Sequence, residues 1–90
     1  MKYKHNSEEE NRFKTISEFK ECIIRGGEPV FIWNGIEYGV CFVEDGYCIA
    51  RTDGSYEKIC KTPEEVLSYI LDDTLLHDVV TQVTVVSRSL

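Results

Sequence analysis

Four cysteines, two histidines and sixteen aspartate or glutamate residues are the groups in this 90-residue chain with chemistry to offer. A protein-bound metal calls for thiols or imidazoles at close spacing, as in C-x-x-C or two ligands one helical turn apart. Cys22, Cys41, Cys48 and Cys60 contain no such pair, and the residues one turn beyond His77 are Val80 and Thr81. A cysteine nucleophile needs a base within hydrogen-bond reach. Cys41 or Cys48 would meet His77 only if the last helices packed beside the central strands, and the expectation is that they lie on different layers. Asp72, Asp73 and Asp78 fall near helix ends, where capping is their ordinary use. Gly26-Gly27 follows a helical stretch instead of a strand, so it is not a phosphate-binding loop. The sequence thus predicts no catalytic residue, no metal site and no cofactor, with the thiols reduced and packed as small hydrophobes.

The elements that position these groups centre on residues 29–51, which hold half of the aromatic side chains and two of the four cysteines. Asn34-Gly35 between apolar runs predicts a two-residue type I′ hairpin, because both residues tolerate the positive φ that this turn requires. Trp33 then faces Ile36, Phe31 faces Tyr38 and Pro29 faces Val40. Strand alternation assigns Phe31, Trp33, Ile36, Tyr38, Val40 and Phe42 to the core. The opposite face carries Val30, Ile32, Glu37, Gly39, Cys41 and Val43. A second turn at residues 44–46 admits either a type I turn with a Gly46 bulge or a two-residue Asp45-Gly46 turn. The two-residue form is preferred because it pairs Phe42 with Ile49 on the core face. It sets Cys48 opposite Val43, with Cys41 and Cys48 as diagonal neighbours.

Residues 1–12, with the Glu8-Glu9-Glu10 triplet, read as a flexible arm, and residues 13–90 as a single α+β domain. Thr15 and Glu18 have capping-box spacing, and Ile16, Phe19 and Ile23 recur helically, predicting a helix over Ile16 to Arg25. Thr52 to Ser55 is a third turn, leading to an edge strand within Tyr56 to Lys61. Thr62-Pro63-Glu64-Glu65 combines an N-cap, a proline at the first helical position and a capping glutamate. Val66, Leu67, Ile70 and Leu71 form the stripe of that helix, which Asp72 to Thr74 break or bend. Leu75, Leu76, Val79 and Val80 form the stripe of another, through Gln82, before a strand over Val83 to Val86.

The net charge of −6 argues against nucleic acid and against an anionic membrane, and no apolar run approaches the roughly 20 residues of a membrane span. The first residues lack the apolar segment of a secretory signal, so a cytoplasmic location is expected.

NGIEYGV, DGYCIAR, KTPEEVLSYIL and the terminal VTVV together resemble a diffuse class of short acidic bacterial or phage-type proteins of unknown function. An N-G-x-x-Y-G hairpin precedes a capped acidic helix in that class. The resemblance spans residues 28–86 and implies an α+β fold, with no catalytic residue to carry over. Inhibitors of host enzymes among small phage proteins share the size and charge only. The fold expected is a two-layer α+β domain, with an antiparallel sheet of about five strands and helices on one face. The function expected is that of a non-enzymatic protein-binding module, with a modulator or inhibitor from a phage or mobile element among the roles that fit. Its partner, or a second copy in a homodimer, is expected to meet Val30, Ile32, Glu37, Cys41 and Val43. The alternative is a cysteine-based redox or metal-sensing protein.

Overall fold

The computed structural model describes residues 12–88. In chain order the elements are α1 (Ile16–Ile24), β1 (Val30–Trp33), β2 (Ile36–Val43), β3 (Gly46–Arg51), β4 (Lys58–Cys60), α2 (Pro63–Leu67), β5 (Ile70–Leu71), β6 (Thr74–Leu75), α3 (Leu76–Val79) and β7 (Thr84–Ser87). Five strands form one antiparallel sheet in the order β4-β3-β2-β1-β7, while β5 and β6 pair separately. The helices lie on one face, giving the α+β architecture read from the sequence. The expected arm lies, apart from Arg12, outside the described residues.

The first hairpin forms in the predicted register: Trp33 faces Ile36 and Phe31 faces Tyr38. Asn34 and Gly35 both have positive φ, 53° and 79°, as a type I′ turn demands. Phe31, Tyr38, Val40 and Ile49, with Cys60 and Val85 from the two edge strands, are the sheet's contribution to the core, and Phe19, Ile23, Val66 and Leu76 close over them from the helical layer. Phe31 and Tyr38 stack at 5.8 Å, and Tyr69 meets the Tyr38 ring edge-on at 6.0 Å. Trp33 and Ile36 are partly buried at the hairpin tip. Phe42, expected in the core, is 47% exposed. It lies near the far end of β2, beside Gly26 just past α1, and stacks on Tyr47 at 5.4 Å.

The second hairpin departs from expectation. Val43 pairs with Gly46, so Glu44-Asp45 makes the turn, and Phe42 faces Tyr47 instead of Ile49. Gly46 is recruited into β3 because the β4 backbone crosses there: a Cβ on Gly46 would strike the Cys60 carbonyl, and its φ is +146°. The displacement is two residues along the strand, so Ile49 keeps its place on the core face. Its larger consequence is that Cys41 and Cys48 stand directly opposite each other.

Thr15 caps α1 by accepting from the Glu18 N–H at 3.0 Å, and Thr62 caps α2 by accepting from the Glu65 N–H at 3.1 Å. The α2 helix is shorter than predicted. Ser68 donates its hydroxyl to the Glu65 carbonyl at 2.6 Å and receives Lys58 Nζ at 2.9 Å, ending the helix before Ile70. Ile70 and Leu71 then pair with Leu75 and Thr74 around an Asp72-Asp73 turn, with Asp72 at φ +64°. Aspartate tolerates that conformation, so the residues read as a helix break form a small hairpin. Leu71 is fully buried, but Ile70 is 52% exposed and leaves the predicted stripe. The last strand begins one residue later than predicted and pairs with β1 at the sheet edge.

Phe13 anchors the start of the domain. Fully buried, it meets the Phe19 ring edge-on at 5.2 Å, with the Arg88 guanidinium 4.5 Å above its own ring.

Candidate functional site

The alternation that buries Phe31, Tyr38, Val40 and Ile49 turns their neighbours to the face of the sheet without helices. Val30 and Ile32 in β1 and Glu37, Gly39, Cys41 and Val43 in β2 share that face. Of the five residues predicted as a binding surface, Ile32 pairs with Glu37, Val30 and Cys41 line one depression, and Val43 lies at the far end of β2, beyond the β1 pairing. Cys41 and Glu37 are exposed, and Val30, Ile32 and Val43 are half-buried. Register sets the cross-strand neighbours on this face, including those of Cys48, which the sequence placed opposite Val43. Ala50 stands opposite Gly39 and Cys48 opposite Cys41, while Ile59 in β4 stands opposite Cys48 and is 50% exposed. With β3 displaced by two residues, these neighbours were not legible from the chain alone.

The surface holds a shallow depression of about 300 Å³, lined by Glu28, Val30, Gly39, Cys41, Cys48 and Ala50 among others, with Arg51 the one basic residue that borders it. Gly39 and Ala50 leave room because neither has a side chain beyond one methyl group. Carboxylates frame this apolar floor. Glu28 Oε2 accepts from the Phe42 N–H at 3.4 Å, Glu37 Oε1 from the Thr52 hydroxyl at 2.8 Å and Glu57 Oε2 from the Cys48 thiol at 3.2 Å. Glu44 and Asp45 add two more in the exposed turn next to Val43. The arrangement offers an apolar centre within a negative rim.

No protein-family model, no curated protein and no solved structure matches this chain. The geometry and charge of the surface therefore carry its interpretation.

The thiols occupy different environments. Cys22 in α1 and Cys60 in β4 are buried, and burial raises both pKa values. Cys48 is pushed up to about 12, first by burial and then by its hydrogen bond to Glu57, the Glu57 charge and neighbouring Cys41. Such a thiol stays protonated at neutral pH. His77 is exposed, with Nδ1 3.3 Å from Asp78 Oδ1. It lines a groove of about 320 Å³ with Ile16, Lys20, Glu64, Leu67 and Leu75 in the helical layer. Cys41 and Cys48 lie on the other side of the sheet, so the structure assembles no Cys-His pair from them. Among the described residues, no group of three His, Cys, Asp or Glu side chains is arranged to hold a metal, and no helix is long and apolar enough to cross a membrane.

Proposed function

We propose that the protein is a non-enzymatic binding module that recognises another protein through the helix-free face of its sheet. The observation that carries this reading is the side-chain set itself: Val30, Ile32, Cys41 and Val43 all lie on the face that no helix covers. Contiguous exposed apolar surface of roughly a few hundred Å² tends to mark an interface. The rim supplies the partner's chemistry. Glu28, Glu37 and Glu57, with Glu44 and Asp45 beside them, favour a partner that sets basic side chains around an apolar centre. The same carboxylates oppose a face-to-face homodimer, in which like charges would meet.

Ile32→Glu tests this reading. Ile32 pairs with Glu37, so the new carboxylate stands opposite another and costs up to about 1 kcal/mol of fold stability. Ile32→Lys serves as its companion, restoring a complementary cross-strand pair while still charging the apolar centre. Both variants should keep the wild-type circular dichroism spectrum and lose capture of the partner from the native host, and capture by the wild type should weaken with salt. Capture undiminished in both folded variants would remove this face as the interface. Concentration-dependent dimerisation lost in both would replace the partner with a second copy.

A further inference from the structure

Cys41 and Cys48 form a directly opposed cross-strand pair in which one thiol is exposed and the other covered. The type of pair follows from the ladder. Thr52 N–H donates to the Glu37 carbonyl at 3.0 Å, and hydrogen-bonded pairs recur at every second step, so Cys41 and Cys48 occupy such a position. Cα atoms in that position lie roughly 5.5 Å apart, inside the roughly 4.4–6.8 Å range of disulfides. Cβ atoms of facing residues are about 4.5–5.5 Å apart, against about 3.5–4.5 Å across a disulfide. Closure therefore draws the strands together by about 1 Å, and a bond strained in this way is readily reduced. Cys22 and Cys60 are turned into the core and take no part.

We propose that Cys41 and Cys48 are a reversible dithiol–disulfide site, oxidised by a low-molecular-weight disulfide of the glutathione type. The exposed Cys41, as thiolate, attacks one sulfur of the oxidant, breaking its S–S bond and releasing one thiol. The mixed disulfide on Cys41 then faces Cys48. Loss of the Cys48 proton, with the Glu57 carboxylate 3.2 Å away as its first acceptor, lets Cys48 Sγ attack Cys41 Sγ and expel the second thiol. Two protein thiols are oxidised, one small disulfide is reduced to two thiols, and the two protons leave on those thiols. The high pKa of Cys48 makes this second step the slow one and speeds it with rising pH.

The test uses the full reduced chain, oxidised glutathione, acid quenching, and intact-mass and peptide-mapping mass spectrometry. The wild type should lose the mass of two hydrogens, link the peptides carrying Cys41 and Cys48, and revert fully with excess reduced glutathione. Cys48→Ser should instead hold one glutathionyl group on Cys41, and Cys41→Ser should take up none on Cys48. A wild type that retains the glutathionyl group on Cys41 without closing overturns the proposal. So does a disulfide that involves Cys22 or Cys60 or joins two chains. No partner enters the measurement, so its outcome is independent of the binding role.

Discussion

Cys48 shows how a neighbourhood sets the chemistry of one side chain. Its thiol is covered, donates to Glu57 and lies beside Cys41, and each influence disfavours the thiolate. The ordinary value is 9.0 and the folded value about 12, so the unfolded chain releases this proton first as pH rises. The contribution to stability is full below 9.0 and is lost through the window up to about 12. Cys22, Cys60 and Tyr69 shift the same way, chiefly through burial. Urea midpoints should therefore fall across this alkaline window, and Cys48→Ala should make the fall shallower. An unchanged slope in that variant would show that Cys48 titrates normally.

At the scale of elements, caps and turns decide where each segment starts and stops. Thr62 accepts from the Glu65 N–H while Glu65 Oε1 accepts from the Lys61 N–H at 2.8 Å, so Thr62→Ala should cost about 1 kcal/mol in equilibrium unfolding. A loss within error would move the start of α2. The Asp72-Asp73 turn gives a sharper contrast. Asp72 has φ +64°, where a β-branched residue is strained, so Asp72→Val should cost about 1–3 kcal/mol. On the surface of a continuous helix the same change would fall roughly within 0.5 kcal/mol. Denaturant titration of this variant therefore distinguishes the hairpin from the helix that the apolar spacing predicts.

For the whole molecule, the decisive fact is that one layer of short helices covers one face of a five-stranded sheet. The two faces should respond differently to substitution. Phe31 is fully buried against Tyr38, and Phe31→Ala should cost about 3–5 kcal/mol. Its neighbour Ile32 faces away, and Ile32→Lys should leave the unfolding midpoint close to that of the wild type. Comparable losses in both variants would mean that both faces are buried. The negative rim is likewise a property of the assembled sheet, because Glu28, Glu37 and Glu57 come from separate segments and frame one surface only when the strands align.

What the sequence determined alone was local in origin. Asn34-Gly35 encodes its turn in two residues, Thr15 and Thr62 encode helix starts in four, and a period of two separates Phe31 and Tyr38 from Ile32 and Glu37. From these signals the α+β class, the first hairpin and the division of β1 and β2 residues between the two sheet faces follow. Tertiary structure decided whatever depends on distant backbone. The close pass of Cys60 beside Gly46 fixes the register of β3, which places Cys41 against Cys48. The Lys58 and Glu65 contacts to Ser68 end α2 where apolar periodicity would have carried it on to Leu71. A turn or cap is stabilised by groups within a few residues, whereas a register is chosen by the strand that packs beside it, and no local pattern in the chain names that strand.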